Sequence, residues 1–434
     1  MDPLSVGLLL AVVLLAVLAL GVWISLTLII VGAVAMFGFS SAPVGPILAT
    51  KMWELASSFE LTALPLFIWM GEILFRTRLS SNMFSGLAPW LTNLPGRLLH
   101  TNVLGCGIFA AVSGSSTATC MTIGRMSLPE LKRRGYDEGL SIGSLASSGA
   151  LGLMIPPSIM MIVYGVAANV SIARLFIAGI LPGLLMMGLF MTYIAIQGIL
   201  HPDRVPPSDI RMTFLEKVRN SGQLLPVVLL IVGVIGSIYT GVATASEAAA
   251  VGVFGALLLA AVTGTLTWAS FKESLLAAMR TNCMIAFILC GSAFLSAAMG
   301  FTGIPRHLAQ WVGSMQLDPA MLLVALTLLF VVLGCFLDGV SVIVLTTSVI
   351  MPMVSAADID TIWFGIYLVI VVEMSVITPP VGFNLFVLQG LTGKDIFFIA
   401  KGAMPFFALM VLTVALLVVF PEIATWLPSA MYAR

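Results

Sequence analysis

Apolar residues run through this chain in long blocks, with polar residues gathered where the blocks end. A membrane-spanning helix takes about 20 mostly apolar residues. The first block, Leu4 to Phe39, is nearly twice that, and Gly21 near its middle divides it into two spans joined by a tight turn. Further spans are predicted at 62–76, 140–165, 174–199, 223–240, 243–264, 281–302, 361–388 and 396–420, which makes ten crossings. The N-terminal block lacks a basic leader and a small-residue cleavage site, so it reads as a first membrane helix.

Two regions fit the pattern badly. Residues 98–131 carry AAVSGSSTATCMTIG in their interior, and 320–354 carry VVLGCFLDGVSVIVLTTSVIMP. Each has apolar limbs broken in the middle by small and polar residues. Backbone polar groups cannot face lipid unpaired, so such a break must line a cavity or be buried in protein. Both regions are expected to be re-entrant helical hairpins that enter and leave on one side.

Composition supports a polytopic membrane protein. Of the 434 residues, 60% are hydrophobic and only 9% charged, where a soluble domain carries about 25% charged residues. That excludes a basic nucleic-acid binder and a disulfide scaffold. The cysteines (Cys106, Cys120, Cys283, Cys290, Cys335) form no CxxC pair, and His100, His201 and His307 are scattered.

The charges sum to zero, with 19 basic against 19 acidic side chains, but their placement is uneven. With ten crossings and two hairpins, Arg76, Arg78, Arg97, Lys132, Arg133 and Arg134 fall on one face. Arg204, Arg211, Lys217, Arg219, Lys272, Arg280, Lys394 and Lys401 join them, and Arg125 leans the same way. Only Lys51, Arg174, Arg306 and Arg434 fall opposite. The basic face is therefore expected to be cytoplasmic, with both termini outside.

The chain also reads as written twice. Gly21, Gly32 and Gly71 recur as Gly241, Gly252 and Gly291 at a constant offset, and Trp90 is answered by Trp311. Leu104-Gly105-Cys106 recurs as Leu333-Gly334-Cys335, and Pro156-Pro157 as Pro379-Pro380. Gly179 and Pro182 recur as Gly402 and Pro405 with unchanged spacing from the double proline. The predicted organisation is a first repeat at 1–199, a cytoplasmic linker at 200–222 and a second repeat at 223–434. Each repeat has five spans and one hairpin. Five is odd, so the second repeat enters the membrane inverted. Inverted repeats with broken helices are a signature of secondary transporters, whose sites lie near the midplane.

Two constellations are candidates for that site. The first is Ser113, Gly114, Ser115, Ser116 and Thr117, with Gly149, Gly152, Pro156, Pro157 and Ser158. Small residues expose carbonyls, hydroxyls add oxygens, and prolines remove backbone donors and free carbonyls on the preceding turn. A hard cation such as Na⁺ needs several oxygen donors, and half-helix N-termini favour an anion. The competing reading is a Ser/Gly helix-packing seam with a proline kink. The second constellation is Asp338, Gly339 and Ser341, with Glu373, Ser375, Thr378, Pro379, Pro380, Gly382 and Asn384. An ionisable group at membrane depth is functional by default. Asp338 is placed to attract or ligate a cation, and Glu373 either does so or bonds the unwound segment. Glu247, near a helix start, reads as a helix-entry residue, and Glu72 as structural or facing another subunit. Arg125 pairs with an anionic substrate or, two turns beyond the hairpin tip, serves the hairpin base or a lipid headgroup. Segments 79–94 and 304–318 read as interfacial helices linking a fixed part to a mobile one, or as contacts for a partner.

At these residues the sequence resembles the large membrane subunit, of the DctM-like type, of tripartite ATP-independent periplasmic (TRAP) transporters. The motifs are AAVSGSSTATCMTIG at 110–124, GALGLMIPPSIMMIVYG at 149–165, TASEAAAVG at 244–252 and EMSVITPPVGFNLFV at 373–387. The resemblance implies an all-α, elevator-type importer, driven by Na⁺ with no other cofactor, for an organic acid such as a C4-dicarboxylate or sugar acid. It implies a small four-helix membrane subunit and a periplasmic solute-binding protein as partners, in a bacterial or archaeal inner membrane. It also implies cation sites at the first tip with Gly152, and at the second tip with Thr378, Pro379 and Gly382. A carboxylate site is expected between them, from Ser116, Thr117, Pro156, Pro157, Ser158, Pro380 and Asn384. The rival within transport is a Na⁺/dicarboxylate symporter of similar inverted architecture that needs no binding protein. A membrane-embedded enzyme would need a catalytic dyad or metal cluster that the sequence does not show.

Overall fold

The first apolar block folds as α1 (Pro3–Ala19) and α2 (Ile24–Phe39), which turn at Gly21. The computed structural model describes residues 3–77, 79–207, 212–222, 224–303, 307, 310, 318–380 and 382–432. Helix α3 (Val44–Ala56) follows, and no apolar run announces it. Lys51 and Glu54 pair on it at 2.7 Å, and none of its residues is buried. A bend of 52° leads from α3 into α4 (Ala63–Phe75), which occupies the span expected at 62–76. The arm expected at 79–94 is the helix α5 (Leu79–Leu91). The matched arm at 304–318 falls almost wholly outside the described residues.

The region 98–131 is a pair of helices, α6 (His100–Ser113) and α7 (Ser116–Arg133), packed on each other and reversed within two residues. Gly114 sits at φ +57°, a backbone conformation in which a Cβ is strained. Ser115 is extended, and its hydroxyl accepts the Ala118 N–H at 3.4 Å to start α7. The span expected at 140–165 divides into α8 (Glu138–Met154) and α9 (Ile159–Ala168), bent by 44° at the double proline. Prolines at 156 and 157 cannot donate the next two helical bonds, and Ser158 caps α9 through the Met161 N–H. Helix α10 (Ile172–Leu200) ends this half.

The linker region carries α11 (Phe214–Ser221), opened by a capping box between Thr213 and Glu216. Then come α12 (Leu225–Tyr239), α13 (Ala245–Val262) and α14 (Trp268–Thr302). Glu247 closes the capping box at the start of α13 with Thr244, a helix-entry role. Helix α14 begins well before the expected 281, because no breaker interrupts the connector, and Thr267 and Ser270 cap it reciprocally. The second hairpin is α15 (Pro319–Gly334) and α16 (Gly339–Ala356). The span expected at 361–388 is again two helices, α17 (Thr361–Ser375) and α18 (Phe383–Thr392), separated at the second double proline. Helices α19 (Ile396–Val419) and α20 (Glu422–Tyr432) close the chain, the latter unannounced by hydropathy.

Among the described residues, five helices are long and apolar enough to cross a membrane, or up to eight if each bent pair is one span. Three expected crossings do not meet that length: α1 and α2, of 17 and 16 residues, and 361–388, divided by its break. Helix α16, read from the sequence as a hairpin limb, does meet it.

The packing comes in exchanged pairs. Helix α2 packs on α14 and α13 on α4; α7 packs on α18 and α16 on α9; α8 packs on α19 and α17 on α10. Each pair joins a helix of the first half to one of the second. Small residues set the closest approach. A Cβ on Gly143 of α8 would lie 2.0 Å from the Gly402 carbonyl oxygen of α19, a backbone-to-backbone seam of the kind that holds helices together in lipid. Helix α17 is buried from Trp363 to Ser375 and lies at the centre.

Candidate functional site

Each hairpin tip meets a proline break. Pro156 denies the Gly152 carbonyl its usual donor, and Pro157 does the same to Leu153, whose oxygen the Ser158 hydroxyl takes. The first tip closes over this exposed helix end. Ser113 Oγ lies 2.7 Å from Thr119 Oγ1, which donates to the Ser115 carbonyl at 2.7 Å. A Cβ on Gly152 would stand 2.6 Å from the Ser115 carbonyl oxygen and 2.8 Å from Thr119 Oγ1, so only glycine fits there. Two serine groups, a threonine and a freed helix end thus share one spot. Ser115 Oγ also reaches Thr117 Oγ1 at 3.3 Å. Gly114 faces the break directly, since its Cβ would lie 3.1 Å from the Pro157 oxygen.

Ser116 turns the other way, toward the second half. It and Asn384 exchange hydrogen bonds at 2.9 and 3.2 Å, and Asn384 also donates to the Ala146 carbonyl at 3.0 Å. All these groups are buried. Asn384 is held in place by its own backbone N–H, which bonds the Val376 carbonyl across the second break at 3.1 Å.

At that second break, Thr378 Oγ1 donates to the Met374 carbonyl at 2.7 Å. A Cβ on Gly382 would lie 2.9 Å from the Thr378 carbonyl oxygen. Facing the Thr378 and Pro379 carbonyls is Cys335 Sγ, at 3.9 and 3.5 Å. Asp338 instead caps α16. Its carboxylate accepts the Ser341 N–H at 3.3 Å and the Ser341 hydroxyl. Gly339 packs against Met160 of α9 and Val372 of α17, so the second tip touches the first half as the first tip touches the second.

Glu373 is completely buried on α17, and neither carboxyl oxygen has a hydrogen-bond partner among the described residues. The Ser116 hydroxyl lies beside it. Ser147 and Ser148 on α8 are likewise buried with unpartnered hydroxyls. Glu72 bonds Arg76 on α4, a structural contact. Arg125 is exposed on α7 and lines a separate pocket with Lys132 and Lys394. Thr119 was not singled out by its sequence. Its signal is the spacing of four from Ser115, which puts its hydroxyl on that carbonyl.

An all-helical chain with two broken helices, each met by a hairpin tip near the centre, is built as a membrane transporter. The chain belongs to the DctM component of the tripartite ATP-independent periplasmic transporters, whose family model matches residues 11–423. It is 31% identical to the C4-dicarboxylate TRAP transporter large permease protein DctM of Pseudomonas aeruginosa, over 92% of each chain. It is 32% identical to the ectoine TRAP transporter large permease protein TeaC of Halomonas elongata, over 85% of this chain and 86% of that one. Identity is also 32% to the isethionate TRAP transporter permease protein DctMQ of Oleidesulfovibrio alaskensis, over 84% of this chain but 58% of that longer one. The crystal structure of the YdaH transporter of Alcanivorax borkumensis has the same fold. It aligns at a TM-score of 0.63 over 94% of this chain and 97% of that chain, at 14% identity.

Proposed function

We propose that this large TRAP permease imports an organic acid by coupling its entry to Na⁺. The observation that carries the reading is the first tip, where Ser113, the Ser115 carbonyl and Thr119 crowd the donor-free end of α8 at Gly152. Neutral oxygens at a broken helix end suit a hard monovalent cation. The second tip offers the Thr378 and Pro379 carbonyls beside Gly382 in the same relation, with Asp338, Gly339 and Ser341 at the turn. The acid sits between the tips, where Ser116, Thr117, Ser158 and Asn384 supply hydroxyl and amide dipoles beside the two double prolines.

In this reading the chain has two inverted repeats, 1–199 and 223–434, joined at 200–222. The basic face is cytoplasmic, both termini are periplasmic, and the membrane is the inner one. Na⁺ orders both tips, and the hairpin module then moves elevator-fashion against α2, α4, α13 and α14. A small membrane subunit and a periplasmic binding protein complete the machine. C4-dicarboxylate, isethionate and ectoine relatives support a small polar solute, with a carboxylate first to try.

The test is succinate uptake into proteoliposomes holding this chain and its small subunit, with the binding protein added or omitted. Uptake that needs both the binding protein and an inward Na⁺ gradient supports the reading. Uptake unchanged when the gradient is removed contradicts it.

A further inference from the structure

A pocket of about 360 Å³ is bounded by α7, the first turn of α8 and the end of α18, with charged side chains at an otherwise largely apolar lining. Its charge is unbalanced. Among the described residues Glu138 is the single carboxylate in the lining, and it is shared by two ammonium groups, Lys132 at 3.1 Å and Lys394. Arg125 is a third cation, and no hydrogen bond or ion pair holds its guanidinium among the described residues. The lining therefore carries two positive charges in excess. Helix C-termini account for two of the cations, since Lys132 ends α7 and Lys394 follows α18, where positive charge meets the carbonyl end. They do not account for Arg125, which lies two turns inside α7.

They do not account for Ser141 either. It is 3% exposed, lines the same pocket, and its hydroxyl has no hydrogen-bond partner among the described residues. Buried hydroxyls are normally satisfied, and an anion in this pocket would offer this one an acceptor.

The pocket is in line with the central site. Along α7, Arg125 is nine residues from Ser116, about 13 Å at the helical rise. Helix α18 runs beside it from Asn384 to the pocket-lining Thr392. A narrow contact lies between, where a Cβ on Gly124 would meet Leu145 at 2.9 Å and Leu391 at 3.0 Å.

We propose that this pocket is an anion-binding site, in which Arg125, the uncompensated lysine charge and the Ser141 hydroxyl hold a carboxylate or the phosphate of a lipid headgroup. If the anion is the transported acid, the pocket is its station on the cytoplasmic side after it leaves Ser116 and Asn384. That assignment rests on the import reading above; the anion site itself does not.

The test places a thiol in the pocket of the full chain, with the exposed Cys283 replaced by serine. In Thr392→Cys, at a partly exposed position of the lining, modification by the anionic sulfonatoethyl methanethiosulfonate is timed against the cationic trimethylammonium reagent. Leu128→Cys, also partly exposed in the lining, serves as a second reporter should the first variant not fold. With each rate divided by that reagent's rate with a small free thiol in solution, the anionic reagent is expected to be favoured about tenfold, from the focusing of a positive cleft, and Arg125→Gln should lower that normalised ratio several-fold. A normalised ratio of one, or one that Arg125→Gln leaves unchanged, would overturn the anion site whatever the chain transports. Slowing by succinate in phosphatidylcholine nanodiscs assigns the site to the acid. Slowing only when phosphatidylglycerol replaces phosphatidylcholine keeps the anion site, assigns it to lipid and overturns the release station. No slowing by either overturns both assignments.

Discussion

Thr119 is the residue on which the first tip turns. Its hydroxyl holds the Ser115 carbonyl and touches Ser113, and it faces the flank of Gly152 that has no side chain. Thr119→Val keeps the shape and removes that oxygen. A hydrogen-bonding group of this kind contributes about 1 kcal/mol, so the Na⁺ concentration for half-maximal uptake should rise about fivefold, with little change in expression, read from uptake against Na⁺. Gly152→Ala should be harsher, because the new methyl would overlap the Ser115 carbonyl, and uptake should be lost while the protein still inserts. Part of this scale was legible. Ser113, Gly114, Ser115 and Ser116 stand out as small polar residues between apolar limbs, a pattern that a helix-packing seam would also give, and the structure places them at the turn from α6 to α7. Asp338 was legible as a tip residue, but its use as the cap of α16 depends on the rotamer that reaches Ser341. The pairing of Ser116 with Asn384 joins the two halves of the chain, which no local pattern can show.

The broken helices are the elements that make the site. Pro156→Ala would restore a donor for the Gly152 carbonyl and let α8 run one residue further toward α9. Na⁺ dependence should weaken while the membrane-inserted fraction stays that of the parent, measured by uptake and by detergent-extracted monodisperse yield. The helix seam is a structural control. Gly143→Leu would drive a side chain into the backbone of α19 at Gly402 and should cut the folded yield itself, which separates packing from coupling. Hydropathy located most elements because apolar runs of span length have few other uses. It missed α3, α20 and the early start of α14, which are amphipathic or end-capped rather than uniformly apolar. It drew 361–388 as one rod because apolar residues continue across the double proline, while the backbone bonds do not.

For the molecule as a whole, the exchanged packing of α2 with α14 and α13 with α4, and of α7 with α18 and α16 with α9, frames the account. Each half supplies part of the other's environment, so the central site exists only when both are present. The double-proline motifs marked in the sequence the two places where helices break, at 156–157 and 379–380. The contacts between halves were not legible, because they depend on the three-dimensional packing and not on any spacing along the chain. The central claim is that the oxygens gathered at the hairpin tips bind the Na⁺ that drives uptake. The most direct measurement is the entry of radiolabelled Na⁺ and succinate together into proteoliposomes, with the small subunit and binding protein present, for the parent chain and for Gly152→Ala. The account predicts that Na⁺ enters with succinate in a fixed ratio in the parent and that both fluxes vanish in the variant. Succinate entry without accompanying Na⁺, or a variant that keeps both fluxes, would contradict it.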